Sequence, residues 1–153
     1  MKRVVITGAG GFVGSRLVQH YRDIWDITPL DHSRLELTDR EAVHAALAKA
    51  APQLVIHTAA LADTGYCENH PLESFEVNLQ APAALAEECA ALGAKLVLFS
   101  SDQVYNGTRR LGSLPEDAPL DPVNVYGRHK WEAEQRVLEV CPDAVCLRAS
   151  CMY

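Results

Sequence analysis

Four glycines crowd the stretch Thr7-Gly8-Ala9-Gly10-Gly11-Phe12-Val13-Gly14, and its flanks leave few folds open. Upstream, Val4-Val5-Ile6 is a short apolar run that reads as a strand buried on both faces. Downstream, Phe12, Val13, Leu17 and Val18 recur at helical spacing. A strand that turns through glycines directly into a helix opens a βαβ unit. Gly8, Gly11 and Gly14 are spaced G-x-x-G-x-x-G rather than G-x-G-x-x-G, but the physics is similar. Gly8 permits the tight turn, Gly11 lets backbone approach a pyrophosphate, and Gly14 lets the helix pack close to the sheet. Free N–H groups at the helix N-terminus then favour an anion.

The alternation continues along the chain. Ile24 to Leu30 is a second strand, ending at Asp31. Asp39 caps a helix whose apolar face is Val43, Ala46, Leu47 and Ala50. Leu54-Val55-Ile56-His57 is a third strand, and a polar loop follows it. Leu72 to Leu92 is a helix closing at Gly93, and Leu96-Val97-Leu98-Phe99 is a fourth strand. A long loop with Gly107, Gly112, Pro115, Pro119 and Pro122 is of a length that is uncommon without a function. Tyr126 to Val140 is helical, and Ala144 to Leu147 is a fifth strand. The pattern predicts an α/β fold, a Rossmann-type doubly wound parallel sheet, as one domain over residues 1–153. Ser150-Cys151-Met152-Tyr153 reads as an exit from a strand rather than a finished terminus.

Charge and composition exclude several classes. Fourteen basic against twenty acidic residues give a net charge of −6, which disfavours a nucleic-acid partner. No segment approaches the roughly 20 apolar residues of a membrane span. Met1-Lys2-Arg3 carries a leader-like charge, but the glycines interrupt the apolar region that would follow, and a cytoplasmic protein is expected. Cys67, Cys89, Cys141, Cys146 and Cys151 contain no C-x-x-C pair and read as reduced thiols. The histidines show no metal spacing, so no metal is expected.

Asp31 lies seventeen residues beyond Gly14, at the end of the second strand, where an acidic side chain can bind adenosine ribose hydroxyls. Its charge argues for NAD(H), whereas Ser33 and Arg34 just behind could accept a 2′-phosphate, so NAD(H) and NADP(H) both stay open. Tyr126-Gly127-Arg128-His129-Lys130 is Y-x-x-x-K, and on a helix i and i+4 share a face. An ammonium beside a phenol lowers the phenol's pKa toward neutrality, where a proton donor works best. Ser101 follows the fourth strand, at the sheet's carboxyl edge, where its hydroxyl could hold a substrate carbonyl.

Thr7 to Gly14, His57-Thr58-Ala59-Ala60, Phe99-Ser100-Ser101-Asp102-Gln103-Val104-Tyr105-Asn106-Gly107, Asn124-Val125-Tyr126-Gly127-Arg128-His129-Lys130 and Leu147-Arg148-Ala149-Ser150 occur in that order. The set resembles the extended short-chain dehydrogenase/reductases that act on nucleotide sugars, most of all the dTDP-4-dehydrorhamnose reductase branch. The resemblance runs over essentially all 153 residues. It implies NAD(H) or NADP(H) as cofactor and a nucleotide sugar as substrate. Tyr126 is implied to protonate the sugar C4 oxygen, Lys130 to bind the nicotinamide ribose and tune Tyr126, and Ser101 to polarise the carbonyl. Gly8, Gly10, Gly11, Phe12, Val13 and Gly14 would hold the pyrophosphate turn. Asp31, His32 and Ser33 would meet the ribose, and Glu36 and Leu37 the adenine. Ala59 and Ala60 would line the cofactor, with Asn78 nearby. The chain differs from that branch at Gln103, Ala149 and Cys151.

The same resemblance leaves a nucleotide-sugar epimerase open, because it shares the catalytic trio. It also leaves open a non-catalytic dinucleotide-binding regulatory subunit, like that of methionine adenosyltransferase. The C-terminal region that shapes the sugar pocket in that family is absent after Tyr153. The chain alone is therefore expected to bind dinucleotide but turn over little sugar. An exposed apolar edge is expected where that region would dock, which suits a homodimer. Elsewhere the residues read blandly: His57 as a core histidine, and Glu87, Glu88, Glu132 and Glu134 as solvated helix faces.

Overall fold

Five parallel strands in the order β2-β1-β3-β4-β5 form the centre of the computed structural model, which describes residues 1–105, 112–150 and 152. Asn106, Gly107, Cys151 and Tyr153, named above, lie outside the described residues. The strands are β1 (Lys2–Thr7), β2 (Trp25–Leu30), β3 (Leu54–His57), β4 (Lys95–Ser101) and β5 (Val145–Ala149). All four neighbouring pairs are parallel, with Val5 opposite Val55 and His57 opposite Leu98. Pro29 costs no interior ladder bond because β2 is an edge strand.

Helices cover both faces, as the alternation predicted. Helix α1 (Phe12–Tyr21) packs Leu17 and Val18 on Val4, Ile6, Leu54 and Ile56. The other face carries α2 (Arg40–Ala50), α5 (Ala81–Leu92) and α6 (Val125–Val140), which enclose Val5, Val55, Leu96 and Leu98 with Leu47, Leu85 and Val137. The caps match the sequence reading. The Asp39 side chain accepts from Ala42 N–H, and Gly93 ends α5 in the left-handed region at φ 67°.

The segment after β3 is more structured than expected. The polar loop contains a short helix, α3 (Thr64–Asn69), capped by Asp63. The predicted helix from Leu72 is instead three consecutive pieces: α4 (Pro71–Phe75), a turn of π-helix (Glu76–Gln80) and α5. Pro82 explains the wide turn. It has no N–H to give the carbonyl of Asn78, and the backbone widens so that Ala81 N–H bonds Glu76 O.

The chain leaves β1 toward β2 on one side and returns through α2 to β3 on the other. The connections leaving the carboxyl ends of β1 and β3 therefore run in opposite directions, which in a doubly wound sheet opens a crevice for ligands. On β5 at the far edge, Val145 and Leu147 are exposed apolar residues.

Candidate functional site

The floor of this crevice is backbone. Gly8 adopts φ 67°, and a Cβ there would lie 2.7 Å from Ala59 N and from Thr58 Oγ1. The turn after β1 thus rests directly on the residues that follow β3. Thr58 Oγ1 donates to Thr7 O at 2.8 Å, and Ala9 N–H bonds Leu30 O at 3.2 Å, joining the turn to β2. A Cβ on Gly14 would stand 2.2 Å from Gly8 O. The expected role of Gly14 is therefore corrected: it lets the helix close on the turn's own backbone, not on the sheet. Gly11 caps α1, leaving the first-turn N–H groups without helical partners and aimed out of the helix end.

Above this floor is a cavity of about 960 Å³. Gly8, Gly10, Gly11, Asp31, His32, Ser33, Glu36, Leu37, Ala59 and Ala60 all line it, as the sequence reading placed them, and Glu73, Glu76 and Val77 form another wall. Asp31 Oδ1 accepts from Ser33 N–H at 3.0 Å and Ser33 Oγ at 2.5 Å. The Ser33 hydroxyl, and then the Arg34 guanidinium, hold the Asp31 carboxyl below the usual range. The Glu36 carboxyl is likewise lowered by bonds from the Thr38 backbone and hydroxyl. The residues fit a dinucleotide: glycines whose Cβ would obstruct the floor, open N–H groups for a pyrophosphate and an ionised carboxylate at the ribose end.

Phe12 and Val13 contribute differently from the glycines. Their side chains line a separate groove along the outside of α1, and the Arg16 guanidinium lies 3.5 Å from the Phe12 ring centroid. Only their backbone N–H groups can serve the crevice. Asn78, on the π turn, does not line the cavity. It is 1% exposed and grips Leu61, accepting from Leu61 N–H at 2.9 Å and donating to Leu61 O at 3.0 Å. It therefore fixes the loop after β3, of which Leu61 lines the cavity.

Ser101, Tyr126 and Lys130 come together at the carboxyl end of β4, outside the walls of the large cavity. The Tyr126 phenol lies beside the Ser101 hydroxyl, and Ser101 Oγ accepts from Gln103 N–H at 3.1 Å. Lys130 donates from Nζ to Phe99 O at 2.6 Å and is 2% exposed. Burial pushes its ammonium down to about 8, against the opposing pull of Glu134. The Tyr126 phenol is pushed up by burial, with the Ser101 hydroxyl opposing. This corrects the expectation that Lys130 would lower it: desolvation of the phenolate is the larger effect here.

His57 is the core histidine anticipated. Its Nδ1 pairs with Thr7 Oγ1 at 2.7 Å, and burial, followed by the Lys130 charge, holds it down to about 3. Glu134 overturns its reading as a solvated residue. It is 1% exposed and takes three bonds from Arg148, at 3.1, 3.2 and 2.8 Å. The signal was present, because Glu134 is four residues beyond Lys130 on the same helical stripe. Gly127 also went unread. A Cβ there would lie 2.3 Å from Gln103 O, so this glycine lets α6 close on the turn that carries Ser101. Among the described residues no cluster suits a metal ion, and no helix is long and apolar enough to cross a membrane.

A doubly wound parallel sheet, a glycine-floored crevice at its switch point and a Ser–Tyr–Lys cluster beside it define a Rossmann-like fold of the kind found in reductases. The chain belongs to the RmlD substrate binding domain family, whose model matches residues 1–153. It is 37% identical over 153 residues to a dTDP-4-dehydrorhamnose reductase of Mycolicibacterium smegmatis, covering 99% of this chain and 46% of the relative. It is 35% identical over 160 residues to methionine adenosyltransferase 2 subunit beta of Bos taurus, covering 99% and 47%. The crystal structure of dTDP-4-dehydrorhamnose reductase from Bacillus anthracis in complex with NADP superposes with a TM-score of 0.95 at 31% identity, covering all of this chain and 55% of that one. The chain thus spans about half the length of the curated relatives it matches.

Proposed function

We propose that the chain binds NAD(H) or NADP(H) in the crevice and is the dinucleotide half of an extended short-chain dehydrogenase/reductase that reduces a nucleotide-linked 4-keto sugar. The observation that carries this reading is the placing of Ser101 and Tyr126 side by side with buried Lys130, one strand from the glycine floor. Asp31 and Ser33 would hold the adenosine ribose, Glu36 and Leu37 the adenine, and Gly10, Gly11 and the N–H groups of Phe12 and Val13 the pyrophosphate. When bound, the dinucleotide supplies the hydride.

The chain's residues supply the rest of the chemistry. Ser101 donates a hydrogen bond to the substrate carbonyl oxygen and polarises it. Tyr126 holds the proton that this oxygen receives. The Lys130 ammonium would bind the nicotinamide ribose, and its charge favours the phenolate that forms. Ala59 and Ala60 exclude water along the cofactor.

Calorimetric titration with NADH and NADPH tests the binding half of this reading, and absence of binding to either would sink it. The similarity to a methionine adenosyltransferase subunit supports a second reading, a non-catalytic binding module. Tyr126→Phe separates the two. The catalytic reading expects the weak keto-sugar turnover of the 153-residue chain to fall at least about a hundredfold with cofactor affinity kept. Equal inertness of both proteins while cofactor binds would favour the binding module. Robust turnover by the chain would overturn the expectation that it is only weakly active.

A further inference from the structure

Tyr126, Lys130 and Glu134 stand one helical turn apart on α6, and all three are buried. One stripe of one helix therefore carries a phenol, an ammonium and a carboxylate. Among the described residues Lys130 hydrogen-bonds to the Phe99 carbonyl, a neutral partner. A buried ammonium without a counter-charge is heavily penalised. Around it, Cys146 on β5 is a thiol that burial pushes up to about 11, and His57 on β3 is held near 3. Both are neutral at pH 7, and so is Tyr126, so none of them supplies that charge. Glu134 does, and its attraction opposes the burial that pulls Lys130 down.

Glu134 is itself shared. Arg148 on β5 grips both of its oxygens and uses Nη1 for Tyr105 OH and Glu116 O, each at 2.8 Å. Arg148 thus ties Glu134, one helical turn from Lys130 on α6, to Tyr105 and Glu116. We infer that Glu134 is a positioning residue for the Tyr126–Lys130 pair, serving as the counter-charge of the buried ammonium, and that Arg148 sets how much of that charge Lys130 feels. The inference rests on the reading of Tyr126 and Lys130 as the catalytic pair.

The test is a pH titration of the complete 153-residue chain carrying ¹³Cε-labelled lysine, followed by NMR. Exposed Lys2, Lys49 and Lys95 serve as internal references. Wild-type Lys130 is expected to titrate near 8. Glu134→Gln removes the counter-charge and leaves Arg148, so the midpoint falls by about one pH unit. Arg148→Gln frees the full Glu134 charge, so the midpoint rises by about the same amount. A merely structural role predicts otherwise, because loosened packing hydrates the ammonium and moves both variants upward. An unmoved or raised midpoint in Glu134→Gln overturns the inference.

Should Glu134→Gln not fold, the Arg148 variants decide. A rise in Arg148→Gln that Arg148→Lys reverses supports the inference, and no rise, or one that persists in Arg148→Lys, overturns it. Adding NADPH to the wild type tests the underlying reading separately. No shift of the Lys130 resonance at saturating NADPH would sink that reading, while the titrations judge Glu134 without cofactor.

Discussion

The crevice between β1 and β3 and the cluster at the end of β4 are built in opposite ways. The crevice takes its form from what side chains leave out: Gly8 and Gly14 are glycines because a Cβ would strike backbone. Its charges, on Asp31, Glu36 and Arg34, are partly or largely in solvent. The cluster is made of buried functional groups, with Tyr126, Lys130 and Glu134 each under 8% exposed. One region recognises by shape and backbone N–H groups, the other by ionisable chemistry out of water. Substitutions should therefore fail for different reasons in the two places.

The largest effects should come from the glycines. Gly14→Ala forces Cβ into the Gly8 carbonyl, and Gly127→Ala forces it into the Gln103 carbonyl. Each should destabilise the chain by about 3 kcal/mol in urea melts, the upper range for overpacking. Their effects on ligand should differ. Gly14→Ala should weaken NADPH binding by about a hundredfold, roughly 2.7 kcal/mol, and Gly127→Ala by less than about threefold. Equal losses of affinity would break the comparison, because both ends would then hold the cofactor alike.

Arg148→Ala leaves the buried Glu134 carboxylate without the guanidinium that bonds both of its oxygens. It should cost about 3 kcal/mol, the usual result of breaking a buried pair. Arg40→Ala removes the exposed pair with Glu87 and should cost less than about 1 kcal/mol. Urea denaturation of the two variants side by side measures the contrast. Comparable costs would mean that the Arg148 pair behaves like a surface one.

The two regions also differed in how far the sequence disclosed them. A glycine turn acts over a few neighbouring residues, so Gly8, Gly11 and Asp31 were legible from spacing, as were the five strands and the caps at Asp39 and Gly93. The cluster depends on contacts between distant segments. Glu134 meets Arg148 only because β5 lies beside β4, and Glu134 read alone has the composition of a solvated face. Gly127 looked like filler inside Y-x-x-x-K until Gln103 lay against it. The π turn was hidden because a helix carrying Pro82 can break, kink or widen, and the sequence does not choose among these. The lowered phenol expected of Tyr126 failed for the same reason: a motif gives the neighbouring charge but not the burial that opposes it.

Acid should test the buried side next. The His57 pKa is about 3 in the folded chain against about 6.5 when unfolded, so the unfolded state binds the extra proton. Stability from the neutral imidazole is complete above about pH 6.5 and is lost as pH falls toward 3, at up to about 1.4 kcal/mol per pH unit. Between pH 6.5 and 5.5 carboxylates titrate little, and since His129 is also lowered by burial, the difference in melting temperature between wild type and a His57 variant isolates His57. The wild type should lose stability there, and His57→Gln should show a flatter slope. Equal slopes would mean that His57 is not held neutral.

The smallest effect is expected at the exposed end, and it sharpens the comparison most. Asp31 is ionised, but Ser33 and Arg34 already occupy part of its charge, and solvent screens the rest. If the crevice recognises chiefly by shape, removing that charge should tune the choice of cofactor and not abolish binding. Asp31→Asn should raise NADPH affinity relative to NADH by about fivefold, roughly 1 kcal/mol, because repulsion of a 2′-phosphate is relieved while one ribose hydrogen bond weakens. Paired calorimetric titrations with the two cofactors give the ratio directly. A change well beyond tenfold, or loss of both ligands, would mean that the carboxylate and not the glycine floor carries recognition, and the division of labour between the two regions would have to be redrawn.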